Sequence, residues 1–311
     1  MLDVEKEDYS TPNRFRERFG ELTTDGWQNV VVRSMSEPII DGVKFPRFPS
    51  ETIQNGMHGH SGTDSIREAF AFYNFIKAQP ALLANIAPEN SFLDFGCGWG
   101  RITRPFLRDF NLSNLFGYEP DFRFCSIARD LNPFTCVING DYLPDGRLPA
   151  SQFDLIVGWS IFSHLSPRSA TEWLVEMSRI LNDGGVCILT TWGDRFLDRL
   201  VKELERIERG EDVHWYSRHV LKHSGDIRAR AEEYRAGNFV WFTDRDDGGL
   251  YGDAFVPSAA LQQIIQKHQL PLELVLFNQT DLPQDVFALR RLPSVKILRN
   301  ANQRTTSGLP A

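Results

Sequence analysis

Short apolar runs alternate with amphipathic stretches through the middle of the chain. The apolar runs predict buried strands over residues 92–95, 115–118, 135–138, 153–158 and 186–191. Because strands that alternate with helices are joined by crossover connections, the pattern predicts a parallel sheet with helices packed on its faces.

Two helices have clear start signals. Thr63 or Asp64 can cap a helix that ends before Pro80, and its apolar residues recur at helical spacing. Ser166 followed by Pro167 marks the start of a second helix between the fourth and fifth strands. Residues 182–185, with sequence Asn-Asp-Gly-Gly, are expected to end that helix and turn into the fifth strand.

The remaining sequence divides the chain into segments. The proline-interrupted N-terminal part is predicted to wrap the core, and the stretch after the fifth strand is too long for a simple connection. We predict an extension (1–62), a core (63–192), an inserted lid or substrate region (193–256), a C-terminal part of the core (257–300) and a disordered tail (301–311). Residues 272–277 and 285–290 read as two strands whose short link allows only antiparallel pairing.

Composition and charge narrow the class of protein. The chain has 311 residues, of which 41% are hydrophobic and 12% aromatic, and this suffices for a large core. Its net charge of -7 disfavours nucleic acid as a partner. The sequence shows no secretory signal and no apolar run of membrane-spanning length, so we expect a cytoplasmic protein. The four cysteines lack the spacing of a metal or redox site and are expected to be core thiols.

A glycine-rich loop follows the first predicted strand. Asp94, Gly96, Gly98 and Gly100 alternate with other residues, and residues 102–110 form an apolar helix candidate. Glycines at such a loop let a ligand approach the backbone closely. A dinucleotide-binding loop would have its third glycine where Arg101 stands, so the spacing disfavours a nicotinamide or flavin cofactor.

Residues 93–101 resemble the first motif of the class I, Rossmann-like methyltransferases, in which an acid two residues ahead of the first glycine begins the loop around S-adenosylmethionine. The resemblance extends from about Ser91 to Thr191. It implies an α/β fold with a doubly wound, mostly parallel seven-stranded sheet and an antiparallel last strand, besides the N-terminal extension and the insertion after the fifth strand. It also implies S-adenosylmethionine as cofactor, bound by Asp94, Gly96, Cys97, Gly98 and Gly100.

Three further positions match the family's cofactor site. Glu119 ends the second strand, where the family has a ribose-binding acid, although an exposed strand-end acid is an alternative. Asp141 and Tyr142 follow the third strand, where the family binds adenine, although Asn-Gly-Asp is also ordinary turn chemistry. Trp159 follows the fourth strand and is expected at the same edge of the sheet.

Histidines supply the candidates for acid-base chemistry. His164 lies in the segment after the fourth strand and is the candidate general base, with loop shaping as the alternative. His58 and His60 suggest a metal pair, but without further ligands nearby we favour a loop over the cofactor and predict no metal site. Residues 244–253 and His214, Trp215, Tyr216 and His219 fit either a substrate gate or a solvated surface.

The segment after the fourth strand also restricts the substrate. It reads Trp159-Ser160-Ile161-Phe162, which differs from the Asn-Pro-Pro-Tyr typical of the relatives that methylate adenine or glutamine. The expected function is therefore methyl transfer to a small molecule, a sugar or a glycan precursor, most simply O-methylation. A module that binds S-adenosylmethionine and acts through a protein partner is the alternative, and a nicotinamide oxidoreductase ranks third.

Overall fold

The computed structural model describes residues 13–245, 249–278 and 281–293. The predicted disordered tail lies outside these ranges. The N-terminal part contains, in chain order, α1 (Arg14–Phe19), α2 (Thr24–Arg33), β1 (Ile39–Ile40), β2 (Val43–Lys44), α3 (Glu51–His58), α4 (Gly62–Lys77) and α5 (Pro80–Leu83).

The central part contains most of the main sheet. Its elements are β3 (Phe92–Phe95), β4 (Leu115–Glu119), α6 (Phe122–Leu131), β5 (Cys136–Asn139), β6 (Phe153–Gly158), α7 (Pro167–Ile180) and β7 (Leu181–Thr191). Two short 3-10 helices, Arg104–Arg108 and Leu112–Asn114, connect β3 to β4.

The last part adds three helices and two strands as an insertion and then completes the sheet. Its elements are α8 (Asp194–Glu208), α9 (Trp215–His223), α10 (Ile227–Arg235), β8 (Val240–Phe242), β9 (Asp253–Phe255), α11 (Ser258–Lys267), β10 (Leu272–Asn278) and β11 (Asp285–Arg291). Strands β8 and β9 pair with each other and not with the main sheet. The described residues include no helix with both the length and the apolar character needed to cross a bilayer.

The seven-stranded sheet has the order β10-β11-β7-β6-β3-β4-β5. The five strands from β7 to β5 are parallel, and β11 is antiparallel to both of its neighbours. This confirms the predicted fold class. The strand order reverses between β3 and β6, and in open sheets of this kind ligands bind at that switch point, beyond the carboxyl ends of the strands.

Two local predictions were wrong. The segment after the glycine loop forms the short 3-10 helix Arg104–Arg108 where we predicted an α-helix over 102–110. Pro105 has no amide hydrogen to donate, and the Arg104 and Arg108 side chains are buried against backbone carbonyls of the extension. The fifth strand begins at Leu181, because the predicted Asn-Asp-Gly-Gly turn is absorbed as an irregularity in the pairing of β6 with β7.

The N-terminal residues pack tightly onto the connection between β3 and β4. The Trp27 indole is fully buried, and its Nε1 donates to the carbonyl of Pro105 at 2.8 Å. Arg108 donates in return to the carbonyls of Phe19 and Leu22, at 3.0 and 2.8 Å. The extension is therefore joined to the sheet domain by a shared core and by hydrogen bonds in both directions.

Candidate active site

The glycine loop leaves β3 at the switch point of the sheet. The amides of Gly96 and Cys97 both donate to the carbonyl of Tyr118 on β4, at 2.9 and 3.0 Å. Gly96 has φ of 72°, and a Cβ there would collide with the Ile161 side chain from the loop after β6. Glycine is required here both for the left-handed backbone and for the close approach of the two loops.

Glu119 connects this loop to the end of β4. Its Oε2 accepts the Gly98 amide at 2.9 Å, and its Oε1 accepts the Asp121 amide at 2.9 Å. Burial raises the pKa of Glu119 to about 7, against the opposing effect of these two amides. Each carboxylate oxygen has a second lone pair, so the side chain can still accept two hydroxyl groups from a ligand in the cavity.

Asp94 and Gly100 lie behind the loop and do not line the cavity. Asp94 is 1% exposed, and its Oδ2 accepts the Thr103 hydroxyl at 2.7 Å. Burial raises its pKa to about 6. Gly100 has φ of 85° and approaches the Asn132 amide group closely. Both residues shape the loop in this structure, and direct cofactor contact stays a prediction for them.

The other predicted cofactor residues line the cavity in different ways. The Cys97 thiol is buried among Cys125, Ala128 and Val137, so the residue faces the cavity mainly with its backbone. Trp159 is 8% exposed and packs on Phe72 at 5.0 Å between ring centroids.

Asp141 is held by the hydroxyl of Tyr118, which donates to its carbonyl and accepts from its amide. The Asp141 carboxylate accepts the Tyr142 amide at 2.7 Å. The carboxylate and the amide predicted to bind adenine therefore bond to each other in this structure.

His164 lies at the other side of the switch point. Its Nδ1 is 2.8 Å from the carbonyl oxygen of Gly252, and its Nε2 is 3.5 Å from the Ser160 hydroxyl. The imidazole stacks on the Tyr251 ring, with 4.8 Å between centroids. Burial lowers the pKa of His164, although Asp253 and the Gly252 carbonyl oppose this shift.

A polar network behind His164 holds the loop after β6 in place. Ser160 has φ of 61°, and its amide donates to the Thr190 hydroxyl at 2.7 Å. The Gln284 amide group bridges the two sides, because it donates to the Ser160 hydroxyl at 2.8 Å and accepts from Thr190 at 2.6 Å. Gln284 also lines the cavity, at the start of the last strand.

The cavity that these residues share has a volume of about 930 Å³. Small-molecule sites span about 300–1,000 Å³, so this one has room for a cofactor and a second molecule. The insertion supplies its far wall with polar and aromatic groups. Tyr216 donates its hydroxyl to Asp253 at 2.7 Å, and the Arg245 guanidinium lies 4.5 Å from the centre of the Tyr251 ring.

His58 and His60 form part of the wall contributed by the extension. Nε2 of His58 is 2.9 Å from the Ser65 hydroxyl, and Nε2 of His60 is 3.4 Å from the Glu68 carboxylate, which also binds Arg101. Burial together with the charge of Arg101 lowers the pKa of His58 to about 3. The expected loop over the cofactor is thus the end of α3 and the turn after it, with both histidines in contact with α4.

Met57 and Arg101 line the cavity but were not singled out from the sequence. Met57 contacts Gly98 from α3 in the extension, which shares no motif with the family resemblance. Arg101 follows the glycine motif directly, so its position gave a usable signal. Arg245 and Tyr251 belong to segment 244–253, for which the sequence allowed a substrate gate or a solvated surface, and both residues line the cavity.

Residues 67–228, more than half of the chain, match the model of a family described as a methyltransferase domain. The chain therefore belongs to this family of methyltransferases. The predicted enzyme class and the predicted cofactor, S-adenosylmethionine, are those of the family and are confirmed.

Solved structures with a similar chain path include an S-adenosylmethionine-dependent methyltransferase from Methanosarcina mazei, with 14% identity, coverage of 69% of this chain and 98% of that one, and a TM-score of 0.48. Another is a magnesium protoporphyrin IX methyltransferase from Synechocystis, with 10% identity, coverage of 77% and 93%, and a TM-score of 0.48. A third is an amino pentose methyltransferase from Micromonospora echinaspora, with 15% identity, coverage of 78% and 97%, and a TM-score of 0.46.

Proposed function

We propose that this methyltransferase methylates a hydroxyl group of a small molecule, such as a sugar or glycan precursor, with His164 as the general base. The proposal rests on the hydrogen bond and the burial of His164. The Gly252 carbonyl can only accept a hydrogen bond, so Nδ1 of the neutral ring carries the proton and Nε2 keeps its lone pair. A lowered pKa keeps this ring neutral near pH 7.

The cofactor supplies an electrophilic methyl group, and the residues around the glycine loop are suited to hold it. Gly98 adopts a left-handed backbone conformation and donates its amide to Glu119, and Glu119 is placed to accept hydrogen bonds from a ribose diol. We assign Cys97 to backbone contacts and Trp159 to apolar contacts. Asp141 and Tyr142 would bind adenine after exchanging their mutual hydrogen bond for bonds to the ring.

The acceptor side of the cavity is polar enough for a hydroxylated ligand. Asp253, Arg245 and the hydroxyls of Ser160 and Tyr216 come from the loop after β6 and from the insertion, next to His164. When the acceptor hydroxyl loses its proton to Nε2, the imidazolium that forms is favoured by the Gly252 carbonyl and by Asp253. The stacking of His164 on Tyr251 fixes the ring plane for this transfer.

The proposal is tested by replacing His164 with glutamine. Because general-base catalysis contributes about 10²- to 10⁴-fold, turnover in His164→Gln is expected to fall by about that factor while S-adenosylmethionine affinity changes little. Methyl transfer from radiolabelled cofactor to a panel of hydroxylated metabolites measures turnover, and calorimetry measures binding. The exposed His268, which does not line the cavity, supplies the matched control His268→Gln.

The pH profile separates a base from a residue that only shapes the loop. With S-adenosylmethionine kept saturating at every pH, kcat/KM for the acceptor in the wild type should be constant above neutral pH and fall as the pH drops through the lowered pKa of His164, where the ring takes up a proton. His164→Gln should lose this acidic limb. Full turnover in His164→Gln, or an unchanged acidic limb, would contradict the assignment.

A further inference from the structure

The insertion brings two imidazoles and a carboxylate together at the wall of the cavity. His219 and His223 lie one turn apart on α9, and Asp244 follows β8. Nε2 of His223 is 3.1 Å from Oδ2 of Asp244, and Nε2 of His219 is 3.8 Å from the same oxygen. One ligand atom from each of the three residues lies within 4.8 Å of the others.

The two elements that carry these groups are tied to each other. Tyr216, on the same face of α9, donates its hydroxyl to Asp253 at 2.7 Å, and Asp253 begins β9. Strand β9 pairs with β8, and the Thr243 hydroxyl donates to the carbonyl of Tyr251 at 2.8 Å. The histidines and Asp244 are therefore held in a defined relation by contacts that do not involve the cluster itself.

We propose that His219, His223 and Asp244 bind one zinc ion. Zinc takes imidazole nitrogen and carboxylate oxygen at about 2.0–2.2 Å, and in a tetrahedron such ligand atoms lie about 3.3 Å apart. The two observed nitrogen-oxygen distances, 3.1 and 3.8 Å, bracket this value. Two histidines and one carboxylate are also the ligand set of zinc enzymes that keep one coordination position open.

The open position is on the cavity side, because all three residues line the cavity that His164 also lines. Resting on the proposed function, this position is assigned to an oxygen of the methyl acceptor. A bound zinc ion would orient that oxygen and lower its pKa, as zinc lowers the pKa of a bound water to about 7. The sequence alone predicted no metal, because Asp244 is distant in sequence from the His-x-x-x-His pair and only the fold unites them.

Metal binding is tested on the full chain after removal of adventitious metal with a chelator. Calorimetric titration with Zn²⁺ should give one site per chain in the wild type and in His268→Gln. Both His223→Gln and Asp244→Asn should bind Zn²⁺ at least about tenfold more weakly, since even outer-sphere changes at zinc sites cost about 10- to 100-fold. Circular dichroism should show the same fold in all four proteins.

Two results would overturn the zinc site. One is a wild type that binds no more Zn²⁺ than the double variant His223→Gln/Asp244→Asn. The other is equal Zn²⁺ affinity in the wild type and in Asp244→Asn. Either result would leave the cluster as direct contacts between the two imidazoles and the carboxylate.

The open coordination position of the metal is tested by visible absorption spectroscopy. Co²⁺ in place of Zn²⁺ should give the visible absorption of a tetrahedral site, and acetohydroxamate, an oxygen ligand, should change that spectrum. A loaded Co²⁺ site whose spectrum does not respond to acetohydroxamate contradicts the open position.

Methyl transfer measured in the same preparations keeps the two proposals distinguishable. Zn²⁺ binding without transfer to any hydroxylated acceptor supports the metal site and contradicts the proposed function. Transfer by metal-free protein at the rate of the zinc-loaded protein supports the proposed function and contradicts the assignment of the acceptor to the metal.

Discussion

Glu119 links the conformation of the glycine loop to the charge of the cofactor site. Its two oxygens hold the amides of Gly98 and Asp121, so the carboxylate organises the loop before any ligand arrives. Its burial raises its pKa to about 7, so the group is partly protonated at neutral pH. Hydroxyl donors of a ribose favour the ionised form, so cofactor binding should release this proton.

We therefore predict that S-adenosylmethionine affinity decreases as the pH falls below about 7. Below the raised pKa, the proton on Glu119 must leave before the carboxylate can accept both ribose hydroxyls, and the limiting slope is about tenfold in affinity per pH unit. Calorimetric titrations over a series of pH values measure this slope. The same slope in Glu119→Gln, which cannot ionise, would assign the pH dependence to another group.

For single residues, the position within the family motif predicted the place in the site better than the chemical type of the side chain did. Gly96, Gly98 and Glu119 line the cavity as expected, because their spacing from β3 fixes where they lie, and their contacts with the cofactor stay predictions. Asp94 was expected in the site, yet it bonds Thr103 behind the loop, and the sequence holds no sign of which way a strand-end carboxylate turns. The proton position on His164 depends on Gly252, which is 88 residues away and was not predictable.

At the level of elements, the strands of the main sheet and helices α4 and α7 were predicted, because hydrophobic periodicity and capping residues mark them in the sequence. Strands β3 and β6 begin and end at the predicted residues. Helix α9 was missed, because its apolar face is interrupted by His219 and His223, which turn toward the cavity. Polar residues that face a cavity interrupt the apolar spacing of a helix, and helix prediction depends on that spacing.

The contact between the glycine loop after β3 and the loop after β6 predicts how alanine at Gly96 affects stability. Gly96→Ala and Gly210→Ala both place an alanine in a left-handed backbone conformation, which costs about 1–2 kcal/mol. At Gly96 the new Cβ would also collide with the Ile161 side chain, whereas at Gly210 it would meet no other atom within 4 Å. Gly96→Ala should lower the free energy of unfolding by about 1–3 kcal/mol more than Gly210→Ala does.

Urea unfolding measures both values, and calorimetry should show weaker S-adenosylmethionine binding only in Gly96→Ala. Equal destabilisation of the two variants together with equal cofactor affinity would mean that the two loops do not pack as described.

At the scale of the whole molecule, the cavity is a joint product of three parts of the chain. The sheet supplies the glycine loop and His164, the extension supplies His58 and Met57, and the insertion supplies the opposite wall. The sequence located the sheet's contribution through shared motifs. For the other two it gave only open alternatives, such as a gate or a solvated surface over 244–253, because contacts between distant segments leave no periodic or spacing signal in one sequence.

The acceptor, the domain boundaries and the cytoplasmic location stay predictions. The wall formed by the insertion argues for a polar acceptor through Arg245, Asp253 and the histidine cluster.

The most direct test is a crystal structure with S-adenosylhomocysteine, the demethylated cofactor. We predict both ribose hydroxyls within about 3 Å of the Glu119 carboxylate oxygens, and the sulfur in the part of the cavity that His164 lines. A nucleoside bound away from Glu119, or a sulfur directed away from His164, would contradict it.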